Sequence, residues 1–155
     1  MQRNIAWTTF TLLSFAVLLA FLVPAAHATN CSMATAEGRY GLSDSGTIIG
    51  IGPRAAVGQA TFDAEGNVNG NVTASLNGQV AKTALSGTYT VNSDCTGATA
   101  FSEFDVSGNL ILTATADLVW DDHMREIRFL FTSVVLANGA QLATAVNGNA
   151  RKLVP

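Results

Sequence analysis

Strict alternation of polar and apolar side chains is the feature that most constrains this sequence. Between positions 67 and 77 the odd residues are Asn67, Asn69, Asn71, Thr73, Ser75 and Asn77, while the even ones are Val68, Gly70, Val72, Ala74 and Leu76. An extended chain turns successive side chains to opposite faces, so this pattern makes a half-buried strand and excludes a helix. The same period recurs. Ala81, Leu85, Tyr89 and Val91 share one face against Lys82, Ser86, Thr88 and Thr90. Leu110, Leu112, Ala114, Ala116, Leu118 and Trp120 line up in the same way, and Ile127, Phe129 and Phe131 alternate with Glu126, Arg128 and Thr132. No segment after residue 37 carries a helical stripe.

Turn chemistry separates these runs. Asn77-Gly78 and Asn138-Gly139 are strong hairpin signals, because both residue types tolerate positive φ. Glu65-Gly66-Asn67 and Ser107-Gly108-Asn109 mark two further reversals, Asp121-Asp122-His123 a polar tip, and Asn147-Gly148-Asn149 a last turn or a bulge. The spacing predicts strands near 38–43, 46–51, 56–63, 67–77, 79–91, 95–104, 109–120 and 124–136, with a ninth over 140–153. Short links between successive strands favour antiparallel neighbours. Eight or nine strands with one apolar face each must close or stack. Closure removes exposed edges, so the expectation is an all-β antiparallel meander closing into a small barrel, with a β-sandwich as the alternative.

The first 28 residues read differently. Arg3 and the amino group give a positive start, Asn4 to Ala26 carries no charge, and Phe10 to Val23 is apolar apart from Thr11 and Ser14. Pro24 ends that run, and Ala26-His27-Ala28 offers small residues where a signal peptidase reads them. The expected organisation is a signal peptide over 1–28 and a single all-β domain over 29–155, secreted or periplasmic. A retained membrane anchor is the rival, disfavoured by the short apolar region and the Ala-x-Ala site.

All eleven acids but only seven of the eight basic residues follow position 28, a net charge of −4. With no basic run, a nucleic-acid partner is excluded, and so is a polybasic membrane patch once the signal is cleaved. A protein partner is left open. Cys31 and Cys95 are the two cysteines. Export makes a disulfide the default reading. It would close a loop of about 65 residues, worth roughly 4 kcal/mol as an upper estimate on the chain-entropy argument.

Chemistry-bearing residues are sparse. His123 follows Asp121 and Asp122 and precedes Glu126, but the tip reads as a solvated turn, so no metal and no cofactor are expected. The loop from Asp63 lacks an oxygen ligand at its twelfth position, Ala74, which excludes an EF-hand. No Gly-x-Ser-x-Gly elbow is present, which argues against a serine hydrolase. A glycosidase pair of carboxylates must project into one cleft; Glu103, Asp105 and Asp117 lie on strands or their ends, with Asp117 on the solvent face. No catalytic residue is assigned. Tyr40, Tyr89, Trp120, Phe129 and Phe131 are the candidates for lining a ligand cavity, against the plainer reading that they form core.

One echo runs through the chain: Phe62-Asp63-x-x-Gly66-Asn67-Val68 matches Phe104-Asp105-x-x-Gly108-Asn109-Leu110, as if one hairpin solution were used twice, with the aromatic packed inward and the Asp capping the turn. These residues, with Gly38-x-Tyr40-Gly41, Ser43-x-Ser45-Gly46 and Gly87-Thr88-Tyr89-Thr90-Val91-Asn92-x-Asp94-Cys95-Thr96-Gly97, resemble a family of uncharacterised secreted bacterial proteins. The resemblance implies a bacterial exported protein with Cys95 in a disulfide, and no activity. A looser similarity is to the calycin barrels, lipocalins among them, in which Gly-x-aromatic opens the first strand and a basic residue near the last packs across the barrel bottom; Gly38-x-Tyr40 and Arg151 would take those parts.

Three function classes follow: a carrier of a small apolar ligand inside the barrel, a structural or surface-interaction module with a filled core, and, with least support, an isomerase-type enzyme on a calycin-like barrel. The small inward residues Gly70, Ala74, Ala81, Ala114 and Ala116 either leave room for a ligand or let the barrel close tightly.

Overall fold

Each alternating run of the sequence is a strand in the computed structural model, which describes residues 31–154. The expected signal segment, 1–28, lies outside the described residues. One helical turn, α1 (Met33–Ala36), comes first, capped by Ser32, whose side chain accepts from the Thr35 amide. Nine strands follow: β1 (Gly38–Ile48), β2 (Gly52–Phe62), β3 (Asn67–Leu76), β4 (Gln79–Val91), β5 (Thr96–Phe104), β6 (Leu110–Asp121), β7 (Glu126–Leu136), β8 (Gln141–Leu142) and β9 (Thr144–Lys152).

Consecutive strands pair antiparallel from β1 through β7, and β9 closes the ring by pairing with both β7 and β1. The short β8 adds to the far half of β7 at Val134 and Val135. The result is a closed eight-stranded meander barrel with one extra strand and almost no helix. Such a barrel has an interior just wide enough for side chains or for one small ligand. The even-numbered residues of β3 and β6 point inward, with Val68, Val72, Ala74, Leu112, Ala114, Ala116, Leu118 and Trp120 all buried.

Several boundaries differ from the sequence reading. Residues 38–48 form one strand, with no reversal at Ser43–Gly46. Gly46 belongs inside β1 because a Cβ there would strike the Ala145 carbonyl and lie 2.6 Å from Val146 Cα; only glycine lets β1 and β9 approach so closely. The reversal falls instead at Gly50, with φ +86°. Likewise Asn147-Gly148-Asn149 is neither turn nor bulge but part of β9, where the Phe129 ring packs against the bare face of Gly148. The expected ninth strand is divided into β8 and β9 by Ala143.

The echoed hairpins share their turn chemistry. Asp63 accepts from the backbone and side-chain amides of Asn67 at 2.7 and 2.8 Å, and Asp105 accepts from both amides of Asn109 at 2.9 Å. These bonds hold both carboxyls below the ordinary aspartate range, the side-chain amide of the Asn being the largest cause. The aromatics part company. Phe62 is buried in the interior, whereas Phe104 lies out of phase with the inward Phe101 and Glu103, beside a register shift in the β5–β6 pairing.

Cys31, Ser32 and α1 sit at the barrel end bounded by the β2–β3, β4–β5 and β6–β7 turns. A disulfide joins Cys31 to Cys95, tying α1 to the start of β5. Ala36 is fully buried there. The Tyr40 hydroxyl shares its proton between the carbonyls of Ala36 (2.8 Å) and Met124 (3.1 Å). Tyr89 donates to the Asp63 carbonyl at 2.6 Å. Burial pushes both phenols up to about 12.

Arg151 does not pack across this end. Its side chain is 72% exposed and reaches Asp122 at 3.7 Å. Lys152 takes the place expected for it, with Nζ 5.7 Å from the Tyr40 ring centre and donating to the Thr35 carbonyl at 3.2 Å. The cause is register: Lys152 stands opposite Tyr40 in the β1–β9 ladder and shares its face, which turns Arg151 outward.

Candidate functional site

Along each strand the inward residues form successive layers, and the layers are unequally filled. Nearest α1, Tyr40, Phe62, Tyr89 and Trp120 make a connected aromatic floor. Tyr40 meets Phe62 edge-on at 5.2 Å, Phe62 meets Tyr89 at 4.8 Å, and Tyr89 leans on Trp120 at 6.3 Å. At the far end Ile48, Val134 and Val146 are almost wholly buried. Between the two lies a cavity of about 70 Å³, walled mainly by Leu42, Val72, Leu85, Leu118, Ile127 and Phe129.

The candidate lining residues separate accordingly. Phe129 and Phe131 reach the cavity, stacked 6.0 Å apart. Tyr40, Tyr89 and Trp120 do not; they belong to the floor. Phe62 on β2 and Phe101 on β5 line the cavity as well. Of Gly70, Ala74, Ala81, Ala114 and Ala116, only Ala116 borders it, joined there by Ala60 and Ala150. Gly70 makes no room: a Cβ there would strike the Gln59 carbonyl, so its role is the close crossing of β2 and β3. Ala81 is exposed.

One wall of this apolar chamber is charged. Arg54 lies inside β2, on the same face as Ala56, Ala60 and Phe62, with its side chain 5% exposed. Its Nε donates to Asp44 Oδ1 at 2.9 Å and its Nη2 to Asp44 Oδ2 at 3.2 Å, a two-pronged bond. Nη2 also donates to Glu103 Oε1 at 3.3 Å, and the Thr83 hydroxyl donates to Glu103 Oε2 at 3.3 Å. The guanidinium lies 5.7 Å from the Phe131 ring centre.

Strand pairing explains the assembly. Asp44 stands opposite Ala56, which makes Arg54 its diagonal neighbour on the inner face. Glu103 stands opposite Leu85, which makes Thr83 its diagonal neighbour. The link between Arg54 and Glu103 crosses the barrel interior from β2 to β5. Burial pulls Arg54 down, but its bonds to Asp44 and the charge of Glu103 outweigh it and leave the guanidinium above its ordinary value. It is a permanent cation in the barrel wall.

This triad was not singled out from the sequence, although a signal was present: Asp44 is in phase with Tyr40, Leu42 and Ile48, and Arg54 with Ala56 and Ala60. Of the acids weighed for a shared cleft, Glu103 enters the cavity, while Asp105 serves its turn and Asp117 faces solvent.

The tip at Asp121–Arg125 is a separate feature. Asp122, His123 and Met124 all have positive φ, between 47° and 66°. Asp122 meets Arg125 at 3.2 Å, and Asp121 meets Arg128 at 2.8 Å. The Met124 side chain is folded into the base, and His123 is 86% exposed. Among the described residues, no three of His, Cys, Asp and Glu are grouped to hold a metal ion, and no helix is long and apolar enough to cross a membrane.

Solved structures similar to this chain include EF1p2_mFAP2b bound to DFHBI, with a TM-score of 0.56 and 12% identity over 79% of this chain and 100% of that one. Similar too are the redesigned β-barrel mFAP1 bound to DFHBI (TM-score 0.52, 11% identity, 78% and 98% coverage) and the redesigned β-barrel b11L5F_LGL (0.52, 11%, 79% and 96%). At such identities the likeness is one of fold. No protein-family model and no curated protein matches the sequence.

Proposed function

We propose that this protein binds a small, mainly apolar ligand inside its barrel and acts as an exported carrier or binding protein. The observation that carries this reading is the unfilled middle layer: an apolar chamber closed by aromatics on one side and bordered by a buried charged triad on the other. A core serving stability alone has no need of that triad, because buried ion pairs are often no better than apolar residues of the same volume. Closed barrels of this fold accommodate ligands, as the two similar structures bound to DFHBI illustrate. The chamber falls well below the roughly 300–1,000 Å³ of pockets for drug-sized molecules. The ligand is therefore small, or occupies the chamber with only part of its length.

Export is part of the proposal. Residues 1–28 act as a cleaved signal and 29–155 as the working domain, in the periplasm or outside the cell, in keeping with the resemblance to secreted bacterial proteins. The Cys31–Cys95 disulfide supports this, since such bonds persist in oxidising compartments.

A gentle native mass spectrum of the protein recovered from its own export compartment tests both parts. The expected result is the mass of residues 29–155 less two hydrogens, plus a reproducible adduct that denaturation removes. A bare mass, together with no change in cavity-lining amide signals when short alcohols are added, would overturn the binding reading. It would favour an interaction module with a filled core, to which the well-packed layers at Val134 and Val146 would then belong.

A further inference from the structure

We infer that the chamber selects ligands whose polar end is a cation, a short primary alkylamine being the class that fits, and that it rejects carboxylates. The inference rests on the ligand-binding reading above and adds the chemistry of the head group.

The argument starts from charge. Asp44, Arg54 and Glu103 are the buried charged residues among those described, and all three border the chamber. Two carboxylates face one guanidinium, which leaves one negative charge without a partner. The geometry locates it. Asp44 receives two prongs from Arg54, at 2.9 and 3.2 Å. Glu103 receives only a shared Nη2 contact and the neutral Thr83 hydroxyl, both at 3.3 Å. Each carboxylate accepts one bond per oxygen and can accept more, but those to Glu103 are the longer and one comes from a neutral donor, so Glu103 is the less compensated of the two.

An entering carboxylate would find only Nη1 of Arg54 uncommitted, Nε and Nη2 being taken by Asp44 and Glu103, and would approach two like charges in a medium where repulsion is weakly screened. An ammonium group brings three donors and the missing positive charge to Glu103. Apart from Thr99, whose hydroxyl donates to the Thr88 carbonyl, the rest of the wall is apolar, with Leu42, Val72, Leu85, Leu118 and Phe129 prominent in it, which suits an aliphatic tail. An arginine inside a barrel would by itself suggest an anion; here its neighbours reverse the sign.

The test compares three probes of one chain length on the purified, disulfide-closed, ¹⁵N-labelled protein at pH 7: n-pentylamine, n-pentanol and pentanoate. Binding is read from the amide signals of Ala60, Ala116 and Ala150, which border the chamber. The amine should bind about tenfold more tightly than the alcohol, equivalent to about 1.4 kcal/mol, and pentanoate more weakly than either. Glu103→Gln should erase the advantage of amine over alcohol while leaving alcohol binding in place.

The wild-type comparison needs no variant, so a poorly folded Glu103→Gln protein does not blunt it. If none of the probes binds, the ligand-binding reading itself fails. If the alcohol binds and the amine does no better, the head-group inference alone is overturned. Pentanoate binding as tightly as the amine overturns it too, and so does a folded Glu103→Gln protein that keeps the amine preference.

Discussion

Removing the cation from the buried triad is the sharpest perturbation the structure offers. Arg54→Met keeps an unbranched side chain of similar reach beside Phe131 but deletes three charge-assisted hydrogen bonds, two to Asp44 and one to Glu103. It leaves two carboxylates inside the barrel with no ion-pair partner among the described residues. Breaking a buried pair by removing one partner costs about 3–5 kcal/mol, chiefly through the charge left behind. For a domain of this size, 1 kcal/mol moves Tm by roughly 4 °C, so Tm at pH 7 should fall by roughly 12–20 °C. The assay is thermal unfolding followed by circular dichroism, paired with urea titration to check that the slope is unchanged. A companion variant separates charge from packing. Asp44→Leu, Arg54→Met and Glu103→Met combined should recover most of the stability, since apolar replacement of a whole buried ion network is often neutral or better. A fall below about 1 kcal/mol for Arg54→Met, or a triple variant as unstable as the single one, would refute the reasoning.

Four other outcomes are expected. Replacing both Cys31 and Cys95 with serine frees a segment closed by a sequence separation of 64 and should cost up to about 4 kcal/mol, read by calorimetry against the oxidised protein; an unchanged Tm would remove the disulfide's stabilising role. Tyr40→Phe leaves the Ala36 and Met124 carbonyls without their donor and should cost about 1–3 kcal/mol in urea unfolding. Because the folded phenols of Tyr40 and Tyr89 sit near 12, above the ordinary 10, their contribution to stability is intact below pH 10 and lost as pH rises through that window; absorbance at the phenolate band should rise together with unfolding. Asp63 and Asp105 behave oppositely, with folded values below 3.8, so their contribution is present above that pH and lost on further acidification. Carboxyl carbon shifts should titrate below the range of the free side chain, and Asn67→Ala should bring Asp63 back toward it.

Strand number and phase were legible because burial imposes period two on any sheet with one wet face. From 67 to 77 each even residue faces inward, and Asn77-Gly78 makes the turn with both residues at positive φ. Legibility failed where one glycine has two meanings. Gly46 and Gly148 resemble turn formers, yet both lie inside strands, because what they accommodate is a neighbour brought there by the closed ring: Val146 against Gly46, and Phe129 against Gly148. It failed again at Asp44 and Arg54. A charge on the inner phase reads as an interruption until its partner is known, and the partners lie on other strands.

By itself, then, the sequence determined an all-β chain, the inner and outer face of most strands, the chemistry of the turns and the pairing of its two cysteines. These are local or nearly forced properties, set by backbone geometry, solvent and a single available partner. Only the tertiary structure decided that the sheet closes through β9, that Lys152 and not Arg151 covers Tyr40, and that Arg54 meets Glu103 across the interior. Each of these depends on strand register and on distances across the barrel, which join residues such as Arg54 and Glu103 that stand far apart in the chain. Register and closure are global quantities, so the site they build became visible only once the whole barrel was formed.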